Sequence, residues 1–124
     1  LAPLNDDTCL DMVVANSAVN KIAIYFSSCD GTFGSPTFYS TGSHSVPYGV
    51  VVADVDTDRH FDIVVANFGA NTIGIFLGTG DGSFTNQITF STQSSRPICI
   101  LVADFNNDTL LDIVSADYGT NSIS

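Results

Sequence analysis

Glutamate and tryptophan are absent from this chain, methionine occurs once, and only Lys21, Arg59 and Arg96 carry permanent positive charge. Each shortage narrows the reading. All 13 acidic residues are aspartates. Aspartate favours turns, caps and cation loops, whereas glutamate favours helix interiors, so a helical protein is not expected. The formal net charge is −10, which repels nucleic acid and anionic membrane surfaces. No apolar run approaches the roughly 18 residues of a spanning helix, so membrane insertion is not expected. The longest runs, near 50–53 and 98–103, are strand-sized. The chain starts at Leu1 without a signal-peptide pattern and begins and ends inside a repeat, as a processed or excised segment would. His44 and His60 are the only histidines. Neither has a serine or cysteine partner at a recognisable spacing, so nucleophilic catalysis is not expected. The paired acids are committed to loops, which leaves none free for glycosidase chemistry.

What is present suits one β-rich domain. The 124 residues are 44% hydrophobic, with mean hydropathy +0.28, enough to bury a core. Val, Ile, Thr, Ser and Phe are plentiful and Leu is scarce, which favours strands joined by turns.

The chain repeats itself. A shift of about fifty residues, a period that signals a propeller or a solenoid array, aligns Leu10–Asn16 (LDMVVAN) with Phe61–Asn67 (FDIVVAN) and Leu111–Asp117 (LDIVSAD). It also aligns Asn20–Phe26 with Asn71–Leu77 and the terminal Asn121–Ile123, Asp30–Phe33 with Asp81–Phe84, and Pro47–Asp54 with Pro97–Asp104. This defines units of approximately 3–53, 54–103 and 104–124, the last partial. The middle unit reads as strands near 49–54, 62–67, 72–78 and 84–92, with the first an inner strand buried on both sides and the last a polar outer edge. Four antiparallel strands per unit describe a β-propeller blade. The chain then holds strands two to four of one blade, all of a second and the first two of a third, and its unpaired blade edges invite self-association.

Within the repeat lies a concentration of carboxylates. Asp54, Asp56, Asp58 and Asp62 follow D-x-D-x-D-x-x-x-D, and the pattern returns as Asp104, Asn106, Asp108 and Asp112. Such crowding is costly without a positive partner, and a hard cation with oxygen ligands, calcium best of all, answers it. An EF-hand is excluded: its glycine would fall at Arg59 and Thr109, and its bidentate glutamate at Val65 and Ser115. Ordinary turn chemistry needs one or two aspartates rather than four.

The run Val-Ala-Asp54-Val-Asp-Thr-Asp-Arg-His-Phe-Asp62-Ile-Val-Val-Ala-Asn67-Phe-Gly, followed by a Gly-Asp-Gly-x-Phe turn, resembles FG-GAP/VCBS repeats, the blades of integrin alpha-chain heads and many secreted proteins. The resemblance covers essentially the whole chain. It implies a β-propeller with calcium between the first two strands of a blade, and extracellular work in adhesion or in protein or glycan binding. In such loops a backbone carbonyl joins the side-chain ligands, here from His60 and Leu110. The first unit departs from the pattern. Pro3 stands at the first ligand position, so Asn5, Asp7 and Asp11 are expected to hold metal weakly or not at all. Only Phe68-Gly69 and Tyr118-Gly119 carry the "FG" element, and Ser17-Ala18 does not.

Within that reading Cys9 and Cys29 fall in loops at one end of one blade. A Cys9–Cys29 disulfide is expected, with two free thiols as the alternative, and Cys99 is expected to be a small buried apolar residue. Asn107-Asp108-Thr109 is a glycosylation sequon at Asn107 that faces outward from a metal loop. Gly78–Gly82 superficially suggests a phosphate loop, but a strand follows it, so it reads as a hairpin turn. Phe26, Phe33, Phe38, Tyr39, Phe84 and Phe90 are expected to pack between blades. Tyr25, Tyr48, Phe68 and Tyr118 are the better ligand candidates. The expected function is a calcium-stabilised, extracellular, non-catalytic binding module. The alternatives are a lectin, with Asn67, Phe68, Asp117 and Tyr118 as the places to look, and the scaffold of a secreted polysaccharide- or lipid-degrading enzyme.

Overall fold

In the computed structural model, which describes residues 1–93, 96–119 and 122–124, each Val- and Ile-rich run becomes a strand and each Asp- or Gly-rich stretch a turn. The strands are β1 (Met12–Asn16), β2 (Lys21–Tyr25), β3 (Thr37–Ser40), β4 (Pro47–Ala53), β5 (Asp62–Asn67), β6 (Thr72–Phe76), β7 (Ile88–Ser91), β8 (Arg96–Ala103), β9 (Asp112–Tyr118) and β10 (Ser122–Ile123). A 3-10 turn at Ser17–Val19 is the one helical element among the described residues. Three antiparallel sheets result, ordered β1-β2-β3, β4-β5-β6-β7 and β10-β9-β8. This is the all-β, blade-like architecture expected of partial propeller units. Asn20 and Asn71, both at φ 55°, turn the chain into β2 and β6, since asparagine tolerates the left-handed region. Their counterpart Asn121 lies outside the described residues.

The register follows the pleat. Val65 sits between Val50 on β4 and Gly74 on β6, and Ile63 and Val65 face the neighbouring blade. The core forms between the first two sheets, from Ala2, Leu4, Ile22 and Ile24 on one side and Ile63, Val65, Phe76 and Phe84 on the other. Tyr39 meets Phe76 and Phe84 edge-on, at ring-centroid distances of 6.0 and 5.7 Å. Each fully buried side chain of this size contributes about 1.5–3 kcal/mol. Gly49 lets β4 approach β8 closely: a Cβ there would lie 3.1 Å from the carbonyl oxygen of Ile98.

Several expectations are corrected. β5, flanked by strands and blades alike, is the wholly buried strand, whereas β4 is half-buried because it is the edge strand of its sheet. Phe26, Tyr39 and Phe84 pack against the core. Phe33, Phe38 and Phe90 are 44, 50 and 56% exposed, because no neighbouring sheet packs over them, and only the Lys21 ammonium lies over the Phe38 ring, 5.5 Å from its centroid. Cys99 is exposed rather than buried, on a strand whose outward face has no neighbouring blade. The third unit adds β10, the start of a third strand. The outer strand of the second unit is confined to β7, with Phe84 joined only to Gly78 in an isolated bridge.

Candidate metal centre

The loop from β4 to β5 is shaped by its own carboxylates. Asp58 N–H donates to Asp54 Oδ1 at 3.1 Å and to Asp56 Oδ1 at 3.2 Å. Arg59 N–H donates to Asp54 Oδ2 at 2.9 Å, and His60 N–H to Asp58 Oδ1 at 2.8 Å. Thr57 and Arg59 take left-handed φ values of 68° and 75°. Such conformations cost roughly 1–2 kcal/mol each for a non-glycine residue, and the side-chain-to-backbone bonds offset that cost. The result is a cup in which Asp54, Asp56 and Asp58 place oxygens within 4.8 Å of one another.

The β8–β9 loop repeats this construction. Asp108 N–H donates to Asp104 Oδ1 and Asn106 Oδ1 at 3.1 and 2.9 Å, Thr109 N–H to Asp104 Oδ2 at 2.9 Å, and Leu110 N–H to Asp108 Oδ1 at 2.8 Å. Asn107 and Thr109 have φ 63° and 73°, and Asn107 of the sequon is exposed. Among these bonds the first unit keeps only Asp7 N–H to Asn5 Oδ1 at 3.2 Å and Cys9 N–H to Asp7 Oδ1 at 2.8 Å. The equivalents of its left-handed positions, Asp6 and Thr8, do not have positive φ.

Asp62 stands apart from the cup. It is fully buried, and both its oxygens accept backbone N–H groups: Oδ2 from Val55 and Oδ1 from Gly78, each at 2.8 Å. Burial pushes its carboxyl above the ordinary value, the two amide bonds oppose this, and Asp56 and Asp58 add to the rise. Asp11 is held in the same way, by Leu4 N–H at 2.8 Å and Ser27 N–H at 2.9 Å. In the first and second loops the last aspartate therefore locks the loop to its blade.

The end of that lock differs between units. Cys9 and Cys29 form a disulfide with Cα atoms 5.3 Å apart. In the second unit the repeat places His60 opposite Cys9 and Gly80 opposite Cys29, and the His60 ring lies where a Gly80 side chain would go. Gly80 was read from the sequence only as part of the Gly78–Gly82 turn, and its pairing with His60 was missed although the repeat alignment carries it. The Gly78–Gly82 stretch is a hairpin turn, with Thr79 N–H donating to the Ser83 carbonyl at 3.1 Å. In that turn Asp81 is held below the ordinary carboxylate value, first by the Thr79 hydroxyl and then by the Ser83 amide.

At the opposite ends of the inner strands lies an aromatic strip. The Tyr48 and Phe68 rings are 5.0 Å apart and those of Phe68 and Tyr118 6.2 Å apart. The Arg96 guanidinium sits 5.4 Å from the Phe68 centroid. Tyr48 and Tyr118 are 59 and 61% exposed. Tyr25 is half-buried on β2, apart from the strip.

Antiparallel sheets of three or four strands, with aspartate loops joining β4 to β5 and β8 to β9 inside a sheet, define a segment of β-propeller type. The FG-GAP-like repeat matches the chain twice, over residues 4–65 and 54–115, and the chain belongs to that repeat family. No curated protein and no solved structure matches it.

Proposed function

We propose that this chain is a calcium-stabilised, non-catalytic binding and adhesion module of a secreted or cell-surface protein. The observation that carries the reading is the gathering of Asp54, Asp56 and Asp58 oxygens within 4.8 Å. An all-oxygen donor set on a loop already bent by its own hydrogen bonds suits calcium, which takes six to eight oxygens, better than the stricter magnesium. The Asp54, Asp56 and Asp58 carboxylates, with the His60 carbonyl, would hold one ion, while Asp62, expected from the spacing as a further ligand, has both oxygens on backbone N–H groups and anchors the loop instead. Asp104, Asn106, Asp108, the Leu110 carbonyl and Asp112 would hold another. Bound calcium would neutralise the carboxylate repulsion and pin the first two strands of each blade. Asn5, Asp7 and Asp11 would hold little or none, since Pro3 removes a carboxylate and the disulfide closes that loop.

The disulfide favours an oxidising compartment. Among the described residues no helix is long and apolar enough to cross a membrane. Calorimetric titration tests the metal reading: saturable calcium binding that Asp54→Asn and Asp104→Asn each reduce supports it, and no heat above dilution contradicts it.

A second reading, a glycan ligand, is favoured by the Tyr48–Phe68–Tyr118 strip. Exposed aromatic faces beside a guanidinium suit a neutral sugar, whose apolar face can stack while its hydroxyls accept from Arg96. A glycan array whose hits vanish with Tyr48→Ala and Tyr118→Ala supports this, and an array without hits removes it.

A further inference from the structure

A cavity of about 250 Å³ lies where the loop that precedes β1 meets the β4–β5 loop of the next blade. The first loop lines it with Asp6 and Asp7, and the second with Arg59 and His60. Gly80 gives the imidazole its place: the His60 Nδ1 and Cε1 atoms lie 2.4 and 2.5 Å from where a Gly80 Cβ would stand. Two residues on, Gly82 packs against the first loop, where a Cβ would lie 3.4 Å from the Asn5 Cβ and 3.0 Å from the Phe26 ring. That contact fixes the distance between the loops.

The charges around this cavity are departures from the repeat. The aligned loops place Asp6 with Thr57 and Asn107, Arg59 with Thr8 and Thr109, and His60 with Cys9 and Leu110. Ionisable side chains thus replace neutral ones in both loops that meet here. One of the three permanent cations of the chain stands at this point. Among the described residues no ion pair joins Arg59 or His60 to Asp6 or Asp7. Asp7 Oδ1 accepts from Cys9 N–H at 2.8 Å, while its Oδ2 and the Asp6 carboxylate have no hydrogen-bond partner among the described residues. Donors and carboxylates therefore line one space without meeting each other.

We propose that this cavity binds a small zwitterion, an α-amino acid with an aliphatic side chain. Its carboxylate accepts from the Arg59 guanidinium, whose planar fork matches it, and from the His60 ring. Its ammonium donates to the Asp6 carboxylate and to Asp7 Oδ2. Its side chain lies against Pro3 and Phe61, which also line the space. The volume is below the roughly 300–1,000 Å³ of pockets for drug-sized ligands, so the ligand is small. The two carboxylates disfavour a phosphate, and the guanidinium disfavours a simple cation. The site uses side chains alone. It is therefore independent of the ion proposed for the adjoining loop, which would take the His60 carbonyl.

The probe is L-leucine, titrated into the isotope-labelled chain while backbone amide shifts are recorded by NMR. Leucinamide, which lacks the carboxylate, and isocaproate, which lacks the ammonium, are titrated in parallel. Saturable shifts centred on residues 5–7 and 59–61 are expected. Because the four charged side chains are exposed, each analogue should bind about fivefold more weakly than leucine. Arg59→Gln should weaken leucine by a similar factor and leave leucinamide unchanged. The double variant Asp6→Asn, Asp7→Asn should weaken leucine and leave isocaproate unchanged, and an amide at position 7 keeps the oxygen that accepts from Cys9 N–H. Absence of saturable shifts, analogues that bind as tightly as leucine, or variants that weaken all three ligands equally would overturn the proposal.

Discussion

The imidazole of His60 fills the space that a side chain on Gly80 would need: a Cβ on Gly80 would lie 2.4 Å from His60 Nδ1. Gly80 also sits at φ 84°, so substitution meets both a clash and backbone strain. Gly80→Ala should destabilise the chain by roughly 1–3 kcal/mol. Adding His60→Ala should restore part of that loss by removing the clash and leaving the strain. Urea denaturation of both variants measures this. A Gly80→Ala penalty unchanged by His60→Ala would mean the two residues do not compete for space.

Cys9 and Cys29 tie together the same two places one unit earlier, across a sequence separation of 20 residues. Closing a loop of this size stabilises by about 3 kcal/mol in the chain-entropy picture. The double variant Cys9→Ser, Cys29→Ser should lose an amount of that order in a denaturation curve, and a wild-type curve unaffected by reductant would contradict it.

Phe76 and Phe90 are both phenylalanines of the second unit, yet only Phe76 has a neighbouring blade over it. Phe76→Ala should cost about 3–5 kcal/mol and Phe90→Ala less than about 1 kcal/mol. Similar losses at the two positions would show that Phe90 is covered in solution.

The turn aspartates should contribute to the acid limb of the stability curve. Asp30 and Asp81 are held below their ordinary value of 3.8, each first by a threonine hydroxyl. A depressed native pKa means that the unfolded chain binds more protons in that window. Their stabilisation is therefore complete above 3.8 and is lost as pH falls through it toward the lowered native values. Asp81→Asn should flatten the fall in urea midpoint between about pH 5 and pH 2. An acid limb identical to wild type would place the titrating groups elsewhere.

Much of this architecture is legible in the sequence because the same signals recur. The Ile-Val-Val-Ala run after Asp62 yields β5 with its observed ends at Asp62 and Asn67, since an apolar stretch bounded by a carboxylate loop and an Asn turn has few other solutions. The cup of Asp54, Asp56 and Asp58 follows from spacing alone. Exposure is a different matter. Phe33 and Phe90 occupy repeat positions whose counterparts, Phe84 and Tyr39, pack in the core between the first two sheets, and a one-dimensional pattern does not say which units have such a neighbour. The double clamp on Asp62 is equally hidden, because its second donor, Gly78 N–H, comes from 16 residues away.

The account rests on a divalent ion among these loops, and the most direct test is the thermal melt of the wild-type chain in saturating calcium and then in excess EGTA. At a hundredfold excess over Kd, each bound calcium stabilises by about 2.7 kcal/mol, or roughly 10 °C for a chain of this size. A drop of that order on chelation, reversed by added calcium and much reduced in Asp54→Asn, Asp104→Asn, is the predicted result. A melting temperature indifferent to EGTA would contradict the account.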